Sequence, residues 1–521
     1  MNVFLVMAAM STAALATTKS LMASESSATV PGITLSSRVP VVGKEIEFRL
    51  DAGDIAGHDA EFTITGGGAN LLNVKVSACD GKFTAGWIPA ETGFYTASFA
   101  SANLGKVSLE FPVVWRDMYF IAWPPLHRDD VSKYRYLSQY IILHGRPGSG
   151  YGEEDMAAWK SAGSKVLSYV YLPRGKVDMS RSEDEVVDEL VAKWSAPLKK
   201  GFDGIFIDEF GMYPKAESLA VFDRAGKALV KLRQENPDMF IFPANAGALL
   251  PEQAMVYNES GSVALLETYP TCYTKSFASH SIKAYIDRNV EVSRNTDLVY
   301  YDTRPQHSAL ILLGFNGLTS FLEESAAPEL EELVRYIKKT GPEMPGIGFY
   351  NSGSVKQYIV DSRQMETADR LCHDYYIKPV VDLRDILFSG YTPVAGKPVD
   401  VLLEVHNLGG MDAKRVRVRL YAKKVGADDK VRIGETVIEK IGCGHKDLQK
   451  LDKNKDYEYQ TINGNVYAVY DKINRVFLAR TTVKFTWAPK EKGYYSIIAE
   501  VEPSTQYTVL DGVLEKHIGV R

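Results

Sequence analysis

Two kinds of hydrophobic patterning divide the chain. In the first, over residues 24–115, short segments alternate polar and apolar positions, as in Glu45-Ile46-Glu47-Phe48-Arg49-Leu50 and Glu61-Phe62-Thr63-Ile64-Thr65. A period of two places every second side chain on one face, which suits a strand with one wet side. Turn residues punctuate these segments, notably Gly66-Gly67-Gly68 and the stretch Trp87-Ile88-Pro89-Ala90-Glu91-Thr92-Gly93-Phe94-Tyr95. The region reads as an immunoglobulin-like β-sandwich. The same theme returns over residues 379–521. Gly396-Lys397-Pro398-Val399 echoes Gly43-Lys44, and Trp487-Ala488-Pro489-Lys490-Glu491-Lys492-Gly493-Tyr494-Tyr495 repeats the Trp, Pro, Glu, Gly and Tyr positions of the earlier stretch. A second sandwich is expected there, carrying an insertion at about 422–480.

Residues 116–378 follow the second pattern. Apolar runs without alternation recur at 119–123, 140–143, 166–172, 205–208, 240–242, 263–267, 298–302 and 347–350. An uninterrupted apolar run is what a strand covered on both faces requires. Stretches with helical periodicity separate most of them, at 183–194, 218–234, 280–294 and 328–339. Eight strand–helix units in this length predict a (β/α)8 TIM barrel. An open doubly wound sheet ranks behind it, because no glycine-rich phosphate loop follows the first strand. The expected fold class is therefore multidomain: a central (β/α)8 barrel flanked by N- and C-terminal immunoglobulin-like β-sandwiches.

Composition narrows the function classes. The 521 residues are 45% hydrophobic and 24% charged, an ordinary globular balance with room for several cores. A net charge of −5, with both signs interspersed, gives no nucleic-acid footprint. Cys79, Cys272, Cys372 and Cys443 are scattered without metal-ligand or redox spacing and read as packed thiols. Residues 4–16 are apolar and small, and Ala14-Leu15-Ala16 or Leu21-Met22-Ala23 offers a cleavage site. Residues 1–23 are thus expected to be a signal peptide, although no basic residue precedes Lys19. Export to a secreted, periplasmic or cell-surface location follows as an expectation. No other stretch is long and apolar enough to span a bilayer.

Chemistry in such a barrel belongs at the C-terminal ends of the strands. The fourth of these, in Gly201-Phe202-Asp203-Gly204-Ile205-Phe206-Ile207-Asp208-Glu209, delivers two adjacent carboxylates. If Ile205 and Ile207 face the helices, Asp208 points into the barrel mouth and Glu209 points away, unless the strand twists off at its end. Glu267 and Asp302 end the sixth and seventh expected strands. Asp208, Glu209, Glu267 and Asp302 are the candidate catalytic residues. Trp123, His144, Arg146, Tyr171, Asn245, Tyr269, Arg304 and Tyr350 occupy the same rim and are the candidate substrate contacts. The arginines serve equally to hold an acidic group or to pair with the carboxylates. No metal or other cofactor is expected. His127, His144 and His307 lack paired metal spacing, and the polar run from Asp452 has Tyr457 where a calcium loop requires Gly.

The segment from Gly201 to Asp208 resembles the fourth strand of barrel glycoside hydrolases. The family 18 chitinase pattern Asp-Gly-x-Asp-x-Asp-x-Glu is matched at Asp203, Gly204 and Asp208 and departs from it at Phe206 and Phe210. The adjacent Asp-Glu is similar in type to hexosaminidases that use substrate assistance. There the acid protonates the leaving group while its neighbour orients the acetamido group. Residues 402–410 followed by 416–420 resemble the cell-adhesion-related sandwich domains of bacterial secreted proteins. These resemblances imply a secreted glycoside hydrolase, with a carbohydrate substrate and no nucleic-acid partner. Glycoside cleavage needs one acid for the departing oxygen and one carboxylate for the oxocarbenium-like centre. The alternative is a non-catalytic carbohydrate-binding or surface-scaffold protein with a degenerate barrel.

Overall fold

The computed structural model describes residues 32–443 and 479–521, with two short strands between them, Tyr459–Ile462 and Asn465–Ala468. Within these spans it leaves out 52, 54–58, 104, 124–129, 144–152, 173–179, 212–215, 269–280, 300–308, 315–325, 351–361 and 391. Eight parallel strands close into a barrel: β1 Tyr119–Trp123, β2 Tyr140–Leu143, β3 Lys165–Tyr171, β4 Gly204–Asp208, β5 Phe240–Asn245, β6 Ala264–Thr268, β7 Ala309–Gly314 and β8 Gly346–Tyr350. Closure comes from β8 on β1, in register from Gly346↔Tyr119 to Tyr350↔Trp123.

The absence of alternation has its cause in this geometry. Ile205, Ile207, Ile241, Leu266, Ile311 and Ile347 pack outward against the helices, while Ile121, Leu167, Phe206, Phe242, Leu265 and Leu312 fill the interior. Each such side chain contributes about 1.5–3 kcal/mol on burial, so both faces of every strand reward apolar residues. At the strand starts the space is tighter. A Cβ on Gly204 would lie 2.1 Å from the Phe240 carbonyl oxygen, and one on Gly346 would lie 2.0 Å from that of Tyr119. Around the strands run helices α1 Glu153–Ser161, α2 Glu183–Ser195, α3 Ala216–Glu235, α4 Pro251–Ser260, α5 Ser281–Val299, α6 Ala326–Thr340 and α7 Ser362–Cys372. Ser182 and Glu185 form a capping box at the start of α2.

One strand differs from the sequence expectation. The run at 298–302 has strand-like composition, yet Leu298 and Val299 complete helix α5, and the seventh strand is Ala309–Gly314. Its six residues are buried throughout and pair with β6 from Ala264↔Ala309 to Thr268↔Leu313. Asp302 and Arg304 therefore precede the seventh strand rather than ending it, and they lie outside the described residues.

The flanking domains are two-sheet sandwiches. The N-terminal one combines Ile33–Leu35, Ile46–Asp51 and Lys82–Trp87 with a sheet of Ala69–Ser77, Asp59–Gly66, Gly93–Ser101 and Gly105–Val113, around Phe48, Phe62, Phe83, Phe99 and Phe111. In the C-terminal one, Ala479–Trp487, Val399–Asn407, Val380–Phe388 and Thr508–Val509 cover a sheet of Val431–Ile441, Ala413–Lys424, Gly493–Val501 and Val513–Val520. The strand Val431–Ile441, within the interval expected to be inserted, pairs along Ala413–Lys424. The repeated Trp-to-Tyr stretches adopt one local structure. Trp87 meets Tyr95 edge-on at 5.0 Å and Trp487 meets Tyr495 at 5.3 Å. In each case the tyrosine hydroxyl donates to a carbonyl four residues back, Glu91 at 2.8 Å and Glu491 at 3.1 Å.

All three domains meet at the N-terminal end of the barrel. Trp115 N–H donates to Gly410 O at 3.1 Å, and Asp412 N–H donates to Thr92 Oγ1 at 3.3 Å. Gly409 fits because a Cβ there would stand 2.0 Å from Lys378 O. Cys79, Cys372 and Cys443 are free thiols, and Cys272 and the run from Asp452 to Glu458 lie outside the described residues. Among the described residues, no helix is long and apolar enough to cross a membrane.

Candidate active site at the barrel mouth

Asp208 ends β4 with its side chain toward the barrel axis, because Phe206 two positions earlier lies in the interior while Ile205 and Ile207 face the helices. The Tyr169 hydroxyl donates a hydrogen bond to Asp208 Oδ2. Tyr169 and Tyr171 share the inner face of β3, their rings 4.6 Å apart and nearly perpendicular, and Tyr171 pairs in register with Asp208. Below them Trp123 lies 4.2 Å from the Tyr350 ring, 4.4 Å from Phe206 and 5.6 Å from Tyr169. The mouth therefore has an aromatic floor. Trp123 is buried within it at 6% exposure, whereas Tyr171 stands at the rim at 37%.

Glu209 departs from strand geometry. Its φ of 52° lies in the left-handed region, which costs a non-glycine residue about 1–2 kcal/mol. Regular alternation would send Glu209 into the helix layer and Phe210 into the mouth. Instead Phe210 is buried on the helix side, with its ring near Trp194, Phe222 and Tyr257. The left-handed residue thus slips the alternation by one position. Glu209 is only partly buried and stands next to Asp208 where the strand twists off.

Behind this turn is a polar anchor. Phe210 N–H donates to Ala244 O at 2.8 Å, and Gly211 lies so close that a Cβ there would stand 1.8 Å from Asn245 Oδ1. Asn245 is fully buried, accepts a hydrogen bond from the Tyr257 hydroxyl at 3.0 Å and donates to Gly247 O at 3.2 Å. The expectation that it contacts substrate is corrected by parity. Phe240, Phe242 and Ala244 occupy the inner face of β5, so Asn245 turns outward and pins strand ends together.

Glu267 lies on the inner face of β6, after Val263 and Leu265, and is 6% exposed. Burial, and after it the charge of Glu267, push the Tyr257 hydroxyl's pKa well up. Tyr285 on α5 donates to Gly247 O and reaches Glu267 O at 3.3 Å, tying β5 to β6.

The structure brings Trp123, Tyr171, Asp208, Glu209, Glu267 and Tyr350 to one end of the barrel. His144, Arg146, Tyr269, Asp302 and Arg304 lie outside the described residues. Tyr169, Gly211, Tyr257 and Tyr285 were not anticipated. Of these, only Tyr169 carried a sequence signal, its parity with Tyr171. Among the described residues, no three His, Cys, Asp or Glu side chains group as ligands for a metal ion. Two carboxylates on one strand end and a third two strands away can supply an acid and a charge stabiliser to a reaction above the aromatic floor.

No protein-family profile and no curated protein matches the chain by sequence. Solved structures do align with it. A cycloisomaltooligosaccharide glucanotransferase from Paenibacillus sp. is 9% identical, with 88% of this chain and 70% of that one covered and a TM-score of 0.33. An endo-β-N-acetylglucosaminidase from Cordyceps militaris is 14% identical, covering 49% of this chain and 90% of that one, with a TM-score of 0.36. The CARDB domain of a Pyrococcus furiosus protein is 15% identical, covering 28% of this chain and 91% of that one, with a TM-score of 0.18.

Proposed function

We propose that this chain hydrolyses glycosidic bonds at the C-terminal mouth of its barrel. The observation that carries the reading is the strand end at Asp208 and Glu209, an inward carboxylate oriented by Tyr169 beside a strained acid, above an aromatic floor. Sugar rings present flat apolar faces that stack on such aromatics, and Tyr171 and Tyr350 are the contacts. Glu209 gives its proton to the departing oxygen as the bond to the anomeric carbon breaks. Asp208 stabilises the positive charge developing there, directly or by orienting a participating 2-acetamido group. Water then adds to the anomeric carbon and gives its proton to the Glu209 carboxylate, which restores the acid, with Glu267 facing the site from β6. The twist at Glu209 favours the acetamido form, because it sets two acids side by side on one strand. Residues 1–23 serve in this reading as an export signal, testable by the mature N-terminus of the exported protein.

The test is reducing-end release from a panel of polysaccharides that includes acetamido-sugar polymers and uncharged glucans. Turnover of one class that is lost in Asp208→Asn and Glu209→Gln supports the proposal. Retarded migration in glycan-containing gels with no reducing ends from any member would establish a binding protein instead.

A further inference from the structure

The corner that each sandwich builds from its Trp-to-Tyr stretch is used differently in the two domains. In the N-terminal sandwich it is a docking corner. Phe94 packs against the helix-side core of the barrel, its ring 5.7 Å from that of His373, and Thr92 Oγ1 accepts the Asp412 N–H. The counterparts in the C-terminal sandwich are Tyr494 and Lys492, and both are exposed. Tyr494 is 74% exposed, against 9% for its neighbour Tyr495.

Strand geometry holds the Tyr494 ring in place. Tyr495 and Ile497 point into the core of the sandwich, so Tyr494 and Ser496 belong to the outer face of Gly493–Val501. On one side Tyr494 pairs with Gly519 of the edge strand Val513–Val520, and on the other it accepts the Val425 N–H at its carbonyl, at 2.9 Å. A Cβ on Gly519 would lie 3.6 Å from Tyr494 Cε1 and 3.8 Å from Cδ1, so the ring occupies the space above the glycine. An aromatic placed over a cross-strand glycine shields an edge strand. That contact uses one side of the ring and leaves most of it to solvent. Next along the same face, Ser496 is flanked by Lys423 and His517 on the adjacent strands. The His517 side chain is exposed, and its Nδ1 shares a hydrogen bond with Ser496 Oγ at 3.0 Å. It stands two positions along its strand from Gly519, roughly 7 Å.

An open ring with hydrogen-bonding side chains one step away is matched by a sugar, which has an apolar face and hydroxyls at its rim. It is not matched by a protein partner, because a stable interface buries about 1,200–2,000 Å². Among the described residues, Val425 is the one strongly exposed apolar neighbour of Tyr494, and Val513 lies opposite Glu500 at the far end of the face.

We propose that this outer face is a second glycan-binding site, at which a pyranose of a polysaccharide chain stacks on Tyr494 and turns its hydroxyls to His517 and Lys423. That the polysaccharide is the one cut at the barrel mouth rests on the function proposed above, whereas the site itself does not.

The test uses the full chain and particles of insoluble poly-N-acetylglucosamine and of insoluble β-glucan, with the bound fraction followed against particle concentration. The expected result is retention on one polymer that weakens about tenfold or more in Tyr494→Ala, as loss of an aromatic anchor does elsewhere, and persists in Tyr494→Phe. Retention on neither polymer, or equal retention of Tyr494→Ala, overturns the proposal. So does a dimer in sedimentation that Tyr494→Ala splits. Retention that depends on Tyr494 without turnover of any glycan supports this site and overturns the hydrolase reading alone. Turnover with retention indifferent to Tyr494 does the reverse.

Discussion

Tyr169 and Asp208 are joined by a hydrogen bond across adjacent barrel strands, Tyr169 sitting in register with Phe206 and Tyr171 with Asp208. The hydroxyl fixes one carboxylate oxygen. Tyr169→Phe keeps the ring contacts and removes the bond. Hydrogen bonds to charged groups are worth about 1.5–3 kcal/mol, so kcat/KM is expected to fall about 10- to 100-fold. The fall should appear in kcat, with KM and Tm little changed, as steady-state kinetics and a melting curve will show.

Glu209 sits in a conformation that glycine adopts freely. Glu209→Gly should therefore raise stability by about 1 kcal/mol while abolishing turnover. Urea unfolding of the two proteins measures it, and a loss of stability would mean that the backbone there is not strained.

Gly211 owes its identity to crowding rather than to backbone freedom. Gly211→Ala drives a Cβ to 1.8 Å from Asn245 Oδ1 and 2.9 Å from the Tyr257 hydroxyl. Overpacking of this kind costs about 1–3 kcal/mol, and here it also displaces the anchor under the Asp208–Glu209 turn. Lower stability and lower activity are expected together. Asn245→Ala should do the same by leaving the buried Tyr257 hydroxyl without its acceptor, at about 1–3 kcal/mol.

Asp382 gives the C-terminal sandwich a dependence on pH. It is 3% exposed, and burial, with the nearby Asp511 adding to it, pushes its carboxyl pKa up from 3.8 to about 6. Arg384, Lys339 and the Asp511 backbone N–H act in the opposite direction. The folded chain holds this proton where the unfolded chain has released it. The residue's contribution is therefore full below 3.8 and is lost as pH rises through about 6. Asp382→Asn should match the parent protein under acid conditions and exceed it at neutral pH by at most about 3 kcal/mol. Urea midpoints across this range follow the difference.

Much of the fold was legible because burial on both faces writes itself into sequence. Seven of the eight strand expectations overlap the observed strands. The eighth failed because Leu298-Val299-Tyr300-Tyr301 has strand composition at a helix end, while the more apolar Ala309–Gly314 went unread. The repeated Trp-Pro-Glu-Gly-Tyr stretch encoded a hydrogen-bonded corner in both sandwiches. The site was legible only as far as strand parity reaches. Parity placed Asp208, and it would have placed Tyr169 and excluded Asn245. It did not foresee the left-handed turn at Glu209, which shows only against a packed Phe210.

The central claim is most directly tested by the bond that is cut and the residues that cut it. Wild type, Asp208→Asn, Glu209→Gln and Glu267→Gln are incubated with a susceptible polysaccharide in heavy-oxygen water, and the products are weighed by mass spectrometry. The account predicts one heavy oxygen at the new reducing end of wild-type products, and loss of at least about 100-fold in rate for the first two variants. Full activity in Asp208→Asn and Glu209→Gln, or label absent from the reducing end, would contradict it.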